Sequence, residues 1–311
     1  MQRFFNSLKV AFKDAAGLCF FSIFRQAERL LSGQRFYSML RPFFAARAGL
    51  NSLFKPPQPS ADLPDFLRAS RTVAIARQQR RDGYLNHVIE FFPDRLGGAK
   101  WMNHCRITGL SHVQQARQDR RAVLLAFCHF GPYYLLRFWL RAAGFPAATF
   151  IGGKSEIRPR LARFKDRFSP FPEIPVAFYQ DQLRAVSGFL AAGNPLLIPI
   201  DAPVGKQMIV PFCDGWSFQM ATGAVRLAIR HRAALIPCSI IDEGGWHFCL
   251  KFGWPVPEAY LATEADWPRA GKHLLAEMMG EFQAHPQQCS VDLTRCLKPN
   301  PPPSRIPTLP A

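Results

Sequence analysis

The sequence is short of acid. Its 311 residues carry 22 Asp and Glu against 39 Lys and Arg, a formal net charge of +17. A surplus of this size favours anionic partners: nucleic acid, anionic lipid headgroups, or an acidic protein such as an acyl carrier. Helix-turn-helix, zinc-finger and RNA-binding signatures are absent, so nucleic acid is not expected among them. No run reaches the roughly 18 apolar residues that a membrane-spanning helix needs. The nearest, Ala15–Phe24 (AAGLCFFSIF), is flanked by Lys13, Asp14 and Arg25. It suits either an anchor lying in the plane of a membrane interface or a buried helix. The eight cysteines form no C-x-x-C pair, and no His–Cys grouping has zinc-ligand spacing. Several thiols sit in apolar runs, as Cys238 does in Leu235–Ile241, where a reduced cysteine acts as a small hydrophobe. No apolar stretch followed by a small-residue cleavage site marks a secretory signal. The expectation is a reducing cytosol, with no metal and no cofactor. A G-x-S-x-G elbow is also missing, which disfavours a serine hydrolase.

What is present is enough apolar material, 48% of residues, for a sizeable core. Most of the 28 Phe belong there. Residues 1–60 read as a basic, helical, membrane-associating segment, in which Arg35–Phe54 alternates arginine with aromatic and aliphatic residues. The proline-rich Lys55–Pro64 breaks the chain. Residues 61–298 read as one α/β domain, and 299–311 as a proline-rich, disordered tail.

Within the domain, helices are expected over 65–92 and 98–105. Strand and helix then alternate. Ala122–Phe127 and Pro195–Ile200 are continuous apolar runs, as buried parallel strands require. Ala147–Ile151 is a further strand. Ala234–Ile241 and Trp246–Phe252 form strands around an Asp-Glu-Gly-Gly turn. Helices are expected over Pro132–Ala143, ended by Gly144, over Ile157–Phe168, and over Asp181–Ala192, closed by Gly193. Two more cover Ala221–Arg230 and Trp267–Gln283. This alternation implies a mostly parallel central sheet flanked by helices on both faces. Chemistry in such sheets sits at the C-terminal ends of the strands.

His129 lies just past such an end, before Phe130, Gly131 and a helix. A histidine there can deprotonate an acceptor hydroxyl, and the following helix start can hold an anion. A lone histidine at a strand end is also commonly structural. Cys128 points to the opposite face and is not expected as a nucleophile. Asp201 ends another strand, either as a functional carboxylate or as the cap of the turn marked by Pro203 and Gly205. Lys154, Arg158 and Arg160 form either a basic loop for phosphate or phosphopantetheine or a solvated helix face. Thr222 and Gly223 open a helix, either to hold an anion or simply to cap it.

The segment Leu124–Leu136 (LLAFCHFGPYYLL) resembles the His-x4-acid motif of the lipid A lauroyl/myristoyl acyltransferases, where the strand leads into His-Phe-Gly-Asn-Trp-Glu. Ile198–Pro203 (IPIDAP), Ile209–Phe212 (IVPF), Ala221–Pro237 and His285–Gln288 (HPQQ) resemble later stretches of that family in the same order. Arg71–Leu96 resembles its helical lead-in. The resemblance implies an acyltransferase fold in which His129 is the general base. It implies a fatty acyl chain moving from acyl carrier protein or coenzyme A to a hydroxyl of a lipid or glycolipid acceptor. It further implies work at the membrane surface, on the cytoplasmic face of the inner membrane. One departure stands out: the family's acid falls at Tyr134. Tyr134 orients His129 instead, or Asp201 replaces the acid, or the chain binds lipid or carrier protein without catalysis.

Overall fold

The computed structural model describes residues 63–68, 104–152 and 171–300, apart from 172, 176, 203–204, 214 and 245–246, with a few isolated positions before 63. In chain order these form helix α1 (Asp65–Arg68), strand β1 (Cys105–Thr108), α2 (Leu110–Gln118) and β2 (Val123–Phe127). A single 3-10 turn, Tyr133–Leu135, leads into α3 (Leu136–Ala142). Next come β3 (Ala148–Ile151), β4 (Ala177–Tyr179), α4 (Leu183–Ala191) and β5 (Leu196–Pro199). They are followed by β6 (Gln207–Cys213), β7 (Trp216–Ala221), α5 (Gly223–His231), β8 (Ala234–Gly244) and β9 (His247–Phe252). Helices α6 (Trp267–Ala284) and α7 (Val291–Arg295) and strand β10 (Leu297–Pro299) complete the order.

Seven strands make one sheet in the order β1-β9-β8-β2-β5-β3-β4. From β8 to β4 all neighbours are parallel. The β8–β9 hairpin turns the last two strands around, with β1 parallel to β9 at the edge. The continuous apolar runs have a direct reason. Leu124 and Ala126 of β2 enter one hydrophobic core, with α5 and α6, while Val123, Leu125 and Phe127 enter another, with α2 and α3. Strand β5 divides the same way, Leu196 and Ile198 to the first and Leu197 to the second. A strand covered on both faces has no solvent side to alternate with. Each such fully buried leucine contributes roughly 1.5–3 kcal/mol.

The parallel crossovers are pinned by polar groups as well as by packing. Arg141 at the end of α3 is buried, yet its Nε donates to the carbonyl of Ala147 at 2.7 Å. Its Nη2 donates to the carbonyls of Ile174 at 3.1 Å and Pro175 at 3.0 Å. One planar guanidinium therefore ties the entry of β3 to the entry of β4. Burial, with the charge of Arg137 added, pulls its pKa down to about 9.

A smaller antiparallel sheet, β10-β7-β6, holds the polar-and-apolar segments that follow Asp201. Leu63 and Leu67 are buried in the first core, so the described part of the lead-in packs onto the domain.

Several expectations are corrected. Helix is not what Cys105 adopts; it begins the edge strand β1. The helix expected from Pro132 starts instead as a 3-10 turn at Tyr133, with Pro132 itself outside the helical region at φ −81° and ψ 50°. Two residues of the expected tail are placed in the fold: Pro299 pairs with Trp216, and Asn300 N donates to the Gly215 carbonyl. The helix Ile157–Phe168, residues 69–92 of the helix expected over 65–92, residues 98–103 of the next, almost all of residues 1–60, and 301–311 lie outside the described residues. Among the described residues no helix is long and apolar enough to cross a membrane.

Candidate active site

Register brings the site together. β2 and β5 are adjacent and parallel, with Phe127 opposite Pro199. Ile200 N still donates to the Phe127 carbonyl at 2.9 Å. Two positions further along each chain, His129 and Asp201 stand opposite one another. In parallel strands in register such residues share a face.

The contact is double. Asp201 Oδ1 lies 2.7 Å from His129 Nδ1. Asp201 Oδ2 accepts the His129 backbone N–H, also at 2.7 Å. The carboxylate is fully buried, while the His129 side chain keeps 19% of its surface. A carboxylate accepts hydrogen bonds, so Nδ1 carries the ring proton and Nε2 holds the lone pair. Nε2 has no partner among the described residues. Burial pushes the imidazole pKa down; the Asp201 hydrogen bond and the charges of Asp201 and Asp292 outweigh it, leaving the pKa above its ordinary value. The Asp201 backbone is fixed in turn: its carbonyl accepts the Cys296 thiol at 3.1 Å.

The histidine loop is held from the other side too. Gly131 N donates to the Gln288 carbonyl at 2.9 Å, and Ser290 N donates to the His129 carbonyl at 3.1 Å. These are the two rungs of an antiparallel bridge between Phe130 and Cys289. Position 131 must be glycine. Its φ is +57°, and a Cβ there would sit 2.1 Å from the Ile240 carbonyl oxygen.

Tyr133 meets the imidazole edge-on, ring centres 4.6 Å apart, and stacks against Phe127. Burial and the neighbouring Tyr134 phenol push its own phenol above the ordinary range, so it stays neutral. Tyr134 packs on the outer side of Tyr133 at 4.0 Å and is exposed. Nδ1, the atom an acid at 134 was expected to orient, is taken by Asp201. Cys128 faces the first core, and burial pushes its thiol well above the ordinary range, which leaves it inert.

Thr222 directly precedes α5, but its hydroxyl makes no cap. Its Oγ1 and its N–H both donate to the Lys206 carbonyl, at 2.9 and 3.0 Å. Gly223 opens the helix beside the end of β5, because Ala221 N donates to the Ile200 carbonyl. Lys154, Arg158 and Arg160 lie outside the described residues. No grouping suited to a metal ion occurs among the described residues. Two participants escaped the residue-level sequence reading, Tyr133 and Gln288; only the HPQQ stretch drew attention to the latter.

No protein-family model matches the chain, and no curated protein matches it. Among solved structures the chain is similar to the crystal structure of the 1-acyl-sn-glycerophosphate (LPA) acyltransferase PlsC from Thermotoga maritima. The two are 14% identical over 81% of this chain and 98% of that one, with a TM-score of 0.42. Likeness at this level assigns no residue role and no substrate, and the lipid A lauroyl/myristoyl family is not shown by it.

Proposed function

We propose that the chain is an acyltransferase that moves a fatty acyl group from a thioester, on acyl carrier protein or coenzyme A, to a hydroxyl of a lipid or glycolipid. His129 is the general base and Asp201 orients it. The observation that carries this reading is an imidazole with Nδ1 on a buried carboxylate and Nε2 unengaged by the described residues, at the C-terminal ends of adjacent parallel strands.

The steps follow from that arrangement. Nε2 takes the proton of the acceptor hydroxyl as its oxygen attacks the thioester carbonyl carbon. Asp201 holds the tautomer that leaves Nε2 bare and stabilises the imidazolium that forms. The tetrahedral oxyanion collapses, the C–S bond breaks, and the departing thiolate takes the proton back from Nε2. Ester and free thiol result, and the histidine is restored. The oxyanion requires donors, backbone N–H groups or an arginine; Lys154, Arg158 and Arg160, which follow β3 in the sequence, are the basic residues proposed for the phosphate or phosphopantetheine of the donor. The surplus of 17 positive charges suits both an anionic donor and an anionic membrane surface at the cytoplasmic face, where a lipid acceptor resides.

The alternative, a non-catalytic protein that binds lipid or carrier protein, drew its support from Tyr134 standing where an acid was expected. The Asp201 carboxylate on Nδ1, just past the end of β5, favours the catalytic reading over this one. The test is transfer of label from acyl-labelled carrier protein or coenzyme A into a total lipid extract, with His129→Ala alongside. A labelled lipid that vanishes in the variant is expected. Label appearing only as free fatty acid would indicate a thioesterase, and binding without any product would favour the non-catalytic reading.

A further inference from the structure

The segment after α6 does more than close the domain. Its 3-10 turn, Pro286–Gln288, delivers Gln288 against the C-terminal end of β8. The Gln288 side-chain amide imitates a strand there. Its Oε1 accepts the Asp242 backbone N–H at 3.0 Å, and its Nε2 donates to the Asp242 carbonyl at 2.8 Å. The same residue's main-chain carbonyl accepts Gly131 N, and two residues later Ser290 N donates to the His129 carbonyl. Gly131 lies between β8 and this amide: a Cβ on it would meet the Ile240 oxygen at 2.1 Å and Gln288 Oε1 at 2.9 Å. The loop carrying His129 is thus caught on one side by Asp201 and on the other by a bracket anchored to β8 through one side chain.

We infer that Gln288 is a positioning residue for His129: its amide, bound to the backbone of Asp242, sets the height of the 129–131 loop over the sheet and so keeps Nδ1 on Asp201. This rests on the acyltransferase reading only for the consequence in rate; the consequence for the imidazole stands without it. The fork is specific. A side chain at 288 must accept at one atom and donate at its neighbour, which glutamine does and leucine or glutamate does not. Without it the Asp242 N–H and carbonyl lose partners, and the bracket keeps only its two main-chain rungs. Displacement of a catalytic group by about 1 Å costs on the order of a hundredfold in rate.

The experiment uses the full-length protein with labelled histidine, and Gln288→Leu and Gln288→Glu. The first readout needs no substrate: the NMR titration of His129, assigned by its loss in His129→Gln, and the downfield Nδ1–H resonance of its bond to Asp201. In both variants that resonance is expected to weaken or vanish, and the His129 midpoint to fall as burial acts with less opposition. The second readout is the transfer rate, where kcat is expected to drop tenfold or more with KM little changed. Leu293→Ala, which truncates a nearby core residue, is the stability control. Variants that lose thermal stability like the control while His129 titrates as in the wild type would overturn the inference. Should Gln288→Leu fail to fold, Gln288→Glu, which keeps one of the two hydrogen bonds, gives the same readings. A wild type without transfer activity but with these NMR changes would sink the acyltransferase reading and leave the positioning role standing.

Discussion

Replacing Asp201 by asparagine changes one atom and should nearly abolish transfer. The reason lies in the two contacts of the carboxylate. Oδ2 accepts the His129 backbone N–H at 2.7 Å, and that donor cannot change character. An asparagine must therefore turn its oxygen to the backbone, which turns its NH2 to Nδ1. Facing a donor, Nδ1 becomes an acceptor, and the ring proton moves to Nε2, where the base needs a lone pair. In triads of this kind the same exchange costs about 10⁴ in kcat, equivalent to roughly 5 kcal/mol. Here the plateau rate should fall by about 10³ to 10⁴. The profile should move as well. In the wild type the rate is expected to rise as His129 loses its proton, at a pH above the ordinary histidine value. In Asp201→Asn burial is no longer outweighed, so this limb shifts to lower pH. The assay is label transfer measured across pH, with nitrogen NMR reporting the tautomer. A loss below tenfold with an unmoved limb would refute the reasoning.

Other consequences can be checked without substrate. Gly131→Ala places a methyl 2.1 Å from the Ile240 oxygen at φ of +57°, and a cost of about 3 kcal/mol or more is expected, since strain and clash add; calorimetry should show Tm lower by several degrees. Arg141→Lys keeps the charge but cannot reach all three carbonyls. Carbonyls left buried without partners should cost about 2–4 kcal/mol in urea unfolding. The His129–Asp201 pair should also make stability depend on pH. Because the folded pKa of His129 is raised, its contribution is complete below the unfolded histidine value and lost as pH rises through the folded one. Unfolding of wild type and His129→Gln should therefore differ more at pH 5.5 than at pH 8.5, and an opposite trend would contradict the direction of the shift.

The residues of the site were visible in the sequence more readily than their arrangement. The runs AVLLAF and PLLIPI announce two buried strands, and His129 and Asp201 end them. Sequence supplies neither the order of strands nor their register, and both are needed to set 129 opposite 201. The edge strand β1 was hidden because its alternation of apolar and polar residues, Cys-Arg-Ile-Thr, lasts only four residues. Strands β6 and β7 were missed as such: Pro211 argues against a strand, and it is accommodated at an irregularity of the edge strand β6. Gln288 stood out only as part of the HPQQ stretch and its role did not, since its work is a pair of hydrogen bonds to a backbone 46 positions away.

The central claim is that His129 drives acyl transfer, and it is tested most directly by the rate of label transfer to lipid in wild type and in folded His129→Ala. The expected result is transfer by the wild type that rises with pH through the raised histidine pKa, and a variant rate lower by about 10³ or more with no such limb. A variant that transfers label at a comparable rate, with the same pH profile, would contradict it.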